Sequence, residues 1–282
     1  MSDQLRRNGA LLGAVAIWGV TLPLTKVALD DFTPIQVAFL RLVFALPVFL
    51  VVAARRGRRS MRISPWLAVP LCLTGVVGYF VFTNLGLDRT SASTTALVQA
   101  ATPALTAILA VALLHERPGR AAGAGILLAV AGAAVVAWGT VQVESPAGVA
   151  FVFLSALSWA LYTILVRRYG DRQSAVGATV VPLLLATVGF APVAGLEPWG
   201  GAAAGIWLLV AVTGFFGSGI AYVLWNFGVA RVPAARAGVY TNLAPVIALV
   251  VARLALDESV GARAVVGGTI VIAGALLATS RP

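Results

Sequence analysis

Polar and aromatic side chains recur at helical spacing inside apolar stretches of this chain. Trp18, Thr21 and Thr25 follow one another at intervals of three and four, as do Ser155, Trp159 and Tyr162. Tyr79 and Thr83 form a shorter run, and Ser218, Tyr222, Trp225 and Asn226 a longer one. Thr95, Gln99 and Thr102, and then Tyr240, Thr241 and Asn242, complete the set. Residues three and four apart share a helix face. A polar face is costly in hydrocarbon, so such faces turn toward one another. The chemistry they offer is recognition: rings make apolar walls, and amides offer both donors and acceptors. Trp18, Tyr79, Gln99, Trp159, Tyr162, Tyr222 and Asn242 are therefore the candidate lining of a solute route. Arg41 stands apart, about 12 Å into its segment at 1.5 Å per residue. It has two readings: a partner for a substrate carboxylate, or a structural donor to carbonyls of a neighbouring helix. Pro103 and Pro245 sit mid-segment, where a missing N–H can kink a helix, so they are candidate hinges.

Several chemistries are absent from the pattern. The 10 Asp and Glu residues fall in loops or at segment ends, and the one histidine, His115, sits at a segment end. No Walker A loop, HExxH motif or catalytic carboxylate pair occurs. Cys72 is the single cysteine, which excludes an internal disulfide and a cysteine metal cluster. The expectation is no enzyme, no cofactor and no metal. Glu116 and Glu258 open loops and read as caps or ion pairs. Asn84 and Asn226, near segment ends, read as caps.

The elements that must position these residues are membrane helices. The chain is 60% hydrophobic and 11% charged, with mean hydropathy +0.96. Such a composition needs lipid as solvent, where helices satisfy their own backbone. Segments of roughly 20 apolar residues fall at about 8–29, 33–54, 65–87, 91–114, 119–140, 146–166, 174–195, 204–229, 234–256 and 261–280. The first is too long for a cleavable signal peptide. The net charge of +10 sits in short loops, where it speaks of topology and not of nucleic acid. Arg6, Arg7, Arg55, Arg56, Arg167, Arg168, Arg231 and Arg236 fall on one side. Lys26, Arg89, Arg253 and Arg263 fall on the other. The more basic side is cytoplasmic, which places both termini there.

Residues 75–133 read again at 217–275 with a constant offset of 142: Asn84 returns as Asn226, Gly86 as Gly228, Pro103 as Pro245, and Glu116 as Glu258. Five spans per unit force the second copy to enter the membrane upside down, an arrangement suited to alternating access. The expected fold is an all-α integral membrane protein: ten transmembrane helices in two inverted five-helix repeats, 1–142 and 143–282, around a central cavity. The Gly-rich fifth and tenth segments, with Gly123, Gly132, Gly267 and Gly274, would allow close packing.

Trp18-Gly19, Lys26, Pro34 and Arg41 in the first two segments, ALLHERPG after the fourth, and LALDESVG followed by GGTIVIAGALLA in the last two make a pattern repeated along the chain. It resembles the EamA family of the drug/metabolite transporter superfamily, and within it the bacterial amino-acid and metabolite exporters. Arg41 has no repeat counterpart, since the offset lands on Leu183. The resemblance implies ten helices around a cavity in the bacterial inner membrane and export of small metabolites. Amino acids lead, with a broad drug-like range as the alternative and a channel behind it. Expected partners are the substrate and membrane lipid, in a monomer or homodimer.

Overall fold

The computed structural model describes residues 3–57, 61–90, 95, 98–99, 101–116, 119–137, 145–169, 175–241, 243–244, 246–247 and 262–279. Its elements are helices: α1 (Asp3–Ala28), α2 (Pro34–Arg56), α3 (Pro65–Arg89), α4 (Thr102–Leu114), α5 (Arg120–Ala137), α6 (Pro146–Tyr169), α7 (Ala175–Leu196), α8 (Ala204–Val229), α9 (Ala234–Thr241) and α10 (Ala262–Thr279). No strand occurs among the described residues. Six of the helices, α1, α2, α3, α6, α7 and α8, are long and apolar enough to cross a membrane. Their outer faces carry bare apolar side chains, such as Leu50 at 63% exposure, Val188 at 74% and Leu208 at 66%. A surface of that kind fits hydrocarbon and not water.

Local sequence explains most boundaries. Thr33 caps α2 in a capping box with Gln36, and Pro34 occupies the first turn, where its absent N–H costs nothing. Pro65 opens α3 in the same way. Helix α1 begins at Asp3, five residues before the segment read from hydropathy, because Arg7 is satisfied there. It donates to Asp3 at 2.9 Å and to the Phe227 carbonyl at 2.7 Å. Ahead of α4, the chain makes a turn at Ala101, so Pro103 lies in the first turn of the described helix instead of mid-helix. Pro245 lies outside the described residues.

Helices α3 and α8 each contain a widened π-helical stretch, Leu73–Gly78 and Thr213–Ile220. Widening frees carbonyls from the helix ladder. The Gly75 carbonyl accepts from the Tyr222 hydroxyl at 2.7 Å, and the Gly217 carbonyl accepts from Trp18 Nε1 at 2.8 Å. The two glycines stand 142 residues apart. A Cβ on Gly75 would meet the Tyr162 ring, and one on Gly217 would meet Thr21.

Other contacts recur with partners exchanged. Gly86 of α3 packs on Val152 and the Gly148 carbonyl of α6; Gly228 of α8 packs on Leu11 and the Arg7 carbonyl of α1. Gly132 of α5 abuts Val271 N and the Gly267 carbonyl, while Gly274 of α10 abuts Ala129 N and the Gly125 carbonyl. Helix α3 packs on α6 as α8 packs on α1. In lipid, close backbone approach of this kind replaces the hydrophobic drive as the main source of helix association.

Charges at helix ends tie neighbouring helices together at the two ends of the bundle. Lys26 donates to the Leu87 carbonyl at 2.7 Å, capping the C-terminus of α3. At the opposite end, Arg167 donates to the Ala230 carbonyl at 3.3 Å, just past α8. Arg167 also pairs with Glu116 at 3.0 Å, and the other Glu116 oxygen accepts from Ala234 N at 3.0 Å. Glu116 thus caps α9 and ties it to α4 and α6. Glu116→Ala and Arg167→Ala should each destabilise the protein, with a double-mutant coupling of about 1 kcal/mol. Unfolding free energies in mixed micelles measure it. Strict additivity would mean that the pair does not couple.

Candidate functional site

The side chains of α1, α2, α3, α4 and α6, with the nearby end of α9, enclose a cavity of about 80 Å³. Trp18, Thr21, Thr25, Arg41, Tyr79, Phe80, Thr83, Asn84, Gln99 and Trp159 are among its walls. It lies toward the end of the bundle marked by Lys26 and by the start of α2, where Asn84 Nδ2 donates to the Pro34 carbonyl at 2.9 Å.

Its floor is a layer of rings packed edge to face or tilted on one another. Trp159 contacts Trp18 at 5.1 Å, Tyr79 at 4.8 Å, Tyr222 at 5.5 Å and Trp225 at 5.5 Å between centroids. The Trp18–Trp159 pair meets edge to face, at 90°. Such pairs contribute about 0.5–1.5 kcal/mol each beyond burial. Below the layer the packing is closed. The Tyr162 hydroxyl donates to Asn226 Oδ1 at 2.9 Å, and Asn226 Nδ2 donates to Thr179 Oγ1 at 2.9 Å.

The sequence-derived candidates separate accordingly. Trp18, Tyr79, Gln99 and Trp159 come together on the cavity wall, joined by Arg41. Tyr162 and Tyr222 lie in the closed layer beneath, each 1% exposed, with their hydroxyls engaged. Asn242 lies outside the described residues, although its neighbours Thr241 and Ala244 reach the wall. Asn84, read from sequence as a helix cap, instead bridges α3 to α2 and faces the cavity. Asn226, read in the same way, bridges α8 to α6 and α7. Thr25, Thr83 and Phe80 are wall residues that sequence reasoning did not single out as a site. The polar spacing of Thr25 and Thr83 carried that signal, while nothing marked Phe80.

Among the described wall residues, Arg41 is the one that carries a charge. Its guanidinium lies 4.8 Å above the Phe80 ring, and Nη1 donates to Thr25 Oγ1 at 3.3 Å. Thr25 passes the bond on to the Thr21 carbonyl at 2.9 Å. Among the described residues, the ion pairs are Arg7–Asp3, Arg89–Asp88 and Arg167–Glu116, so no described carboxylate pairs with Arg41. Arg41 Nε, Thr83 Oγ1, Asn84 Oδ1 and Gln99 Nε2 are buried without a hydrogen-bond partner, and all four residues line this cavity. Buried polar groups are normally paired. Here four of the six unpaired ones among the described residues converge on one space, the other two being Ser218 Oγ and Trp225 Nε1.

Comparison with known proteins places the chain. The profile of the EamA-like transporter family matches twice, over residues 8–138 and 146–280. A probable terminal-alkyne amino-acid exporter of Streptantibioticus cattleyicolor is 31% identical over 96% of this chain and 93% of its own length. The uncharacterized transporter YyaM of Bacillus subtilis is 27% identical over 95% of this chain and 92% of its own. A solved crystal structure superposes with TM-score 0.84 at 24% identity, covering 97% of this chain and 96% of that one, which bears on the fold. With apolar spanning helices, an internal cavity and a family profile matching almost end to end, the chain is a multi-pass membrane protein and belongs to the EamA-like transporter family.

Proposed function

We propose that this protein is a secondary carrier exporting small organic metabolites, amino acids foremost, across the bacterial inner membrane by alternating access. The observation that carries the reading is the cavity: unpaired polar groups above a closed aromatic floor. The volume argues for a small cargo. A water takes roughly 30 Å³ in the liquid, so 80 Å³ is the space of about two to three waters, which favours a small cargo over a broad drug-like range. A channel would need a continuous polar pore, and the ring layer beneath the cavity interrupts any such path.

The same reading takes the chain as ten spans in two inverted halves, 1–142 and 143–282, with both termini cytoplasmic. The exchanged contacts, the paired π-helical stretches and the double family match support it. On this topology the Glu116–Arg167 end is cytoplasmic and closed, and the cavity faces outward. The inward state would arise when the halves exchange their packing, bringing Asn84 into the bonded condition of Asn226. The Streptantibioticus relative, named as a probable amino-acid exporter, supports the substrate class. Catalysis has no place in this reading.

Three outcomes test it. In a background with Cys72→Ala, Arg55→Cys and Gly200→Cys should label from opposite membrane faces; labelling from the same face would overturn the topology. Purified protein in liposomes should move members of a radiolabelled amino-acid panel with saturable kinetics, and Trp159→Ala should cut the flux at least tenfold at normal abundance. A panel that stays put while an unrelated solute moves would remove amino acids from the proposal. For energy coupling, no carboxylate lines the cavity among the described residues. A zwitterion crossing alone carries no net charge, whereas one charge through 100 mV is worth about 2.3 kcal/mol. Flux should therefore be nearly blind to membrane potential and to an imposed pH gradient. Uphill accumulation abolished by a protonophore would contradict a facilitator.

A further inference from the structure

We propose that Arg41 is the specificity-determining residue of the cavity: it requires cargo with a free carboxylate and sets which end of the cargo faces α2. This rests on the carrier reading above. A guanidinium keeps its proton in proteins and offers five N–H donors. Among the described residues one donor bond is formed, the contact to Thr25, and Nε has no partner. Arg41 is 8% exposed and no described carboxylate pairs with it. A buried cation without an anion is costly. The Phe80 ring beneath it offsets part of that cost.

The unpaired groups around it match a carboxylate. Arg41 Nε and Gln99 Nε2 are both free donors on the same cavity, and a carboxylate is acceptor-only, with room for several donors. An Arg fork can bind it with two parallel bonds, which fixes orientation as well as energy. The rest of the wall favours the other end of a zwitterion. Trp18, Tyr79 and Trp159 present ring surface, to which an ammonium is attracted. The free Asn84 Oδ1 is an acceptor for it.

Position in the repeat strengthens the assignment. The position equivalent to Arg41 is Leu183, buried at 1% in the apolar core. A cation required by the scaffold would be expected in both halves, as Lys26 and Arg167 are at the helix ends. Arg41 occurs once, on the cavity. Glycines make room for it: a Cβ on Gly217 would stand 3.4 Å from Arg41 Nη2, and one on Gly214 would stand 2.7 Å from the Arg41 carbonyl.

The test measures binding by quenching of tryptophan fluorescence in detergent, which needs no transport and reports from Trp18 and Trp159. The probes are the twenty common L-amino acids, their carboxamides, and the unbranched and branched carboxylic acids that lack the amine. In the wild type, amino acids should bind about tenfold or more tightly than their carboxamides, the difference expected for losing a charge-assisted bond. Arg41→Gln should erase that ratio while leaving carboxamide affinity within about twofold, and Arg41→Lys should restore part of it. A merely structural arginine would weaken both ligand classes alike. Equal binding of carboxamides to the wild type, or a ratio unchanged in Arg41→Gln, overturns the proposal. So does a failure of every carboxylate to bind. Arg41-dependent binding of simple acids without binding or transport of any amino acid would sustain the inference and overturn the amino-acid reading instead. If Arg41→Gln fails to fold, the wild-type ratio decides.

Discussion

Hydrocarbon offers no hydrogen-bond partner, so each polar group in this bundle must be answered from within the chain or by what enters it. Most are answered by side chains. The helix-end carbonyls of Leu87, Phe227 and Ala230 are met by Lys26, Arg7 and Arg167. The carbonyls freed in the two π-helical stretches are met by Tyr222 and Trp18. Threonines within helices return their hydroxyls to their own backbone, as Thr106 and Thr163 do. Where this accounting fails among the described residues, it fails at six side chains, and four of them, Arg41, Thr83, Asn84 and Gln99, share one cavity, while Ser218 and Trp225 lie away from its walls. A bundle built to pair everything would not leave four such groups on one wall. Their unpaired state is what makes the wall a binding surface.

The two halves put equivalent residues in unequal surroundings. Asn226 is fully engaged with Tyr162 and Thr179, while Asn84, its partner in the repeat, keeps Oδ1 free on the cavity. The packing contacts that join the halves are instead nearly interchangeable: Gly86 on Val152 against Gly228 on Leu11, and Gly132 on α10 against Gly274 on α5. Packed interfaces are bistable and do not deform continuously. Two packings with equivalent contacts differ little in energy, which is the condition for a carrier to visit both at useful rates.

Much of this was legible in the sequence. Composition and 20-residue apolar runs located the helices, because only helices satisfy their backbone in lipid. Prolines and a capping box marked the starts of α2 and α3, since those signals act within one turn. The mid-depth positions of Trp18, Tyr79, Gln99 and Trp159 pointed to the cavity. What was not legible depends on neighbours distant in the chain. Tyr162 and Tyr222 share the spacing of wall residues, yet their hydroxyls find Asn226 and the Gly75 carbonyl and pull them into the closed layer. Asn84 reads as a cap until α2 is placed beside it. Glu116 reads as a cap for the helix that follows, but it caps α9, more than a hundred residues away.

A symmetric scaffold holding an asymmetric site follows from what each must do. Contacts that hold the halves together have to be available in both packings, so they are made of glycine, small apolar groups and helix-end charges that occur in both repeats. On the proposed carrier reading, contacts to a cargo need no such duplication, and Arg41 opposed by Leu183 is a departure of that second kind. The aromatic layer belongs to both classes. Trp18 and Trp159 are close counterparts in the repeat and touch edge to face near the middle of α1 and α6. Rings can slide and re-pair without breaking a hydrogen bond that hydrocarbon could not replace, which on the proposed alternating-access reading would let the layer seal either side of a cargo. Trp18 does hold one such bond, to the Gly217 carbonyl. That tether fixes it to α8, while the Trp159 side chain is held by the rings of Trp18, Tyr79, Tyr222 and Trp225.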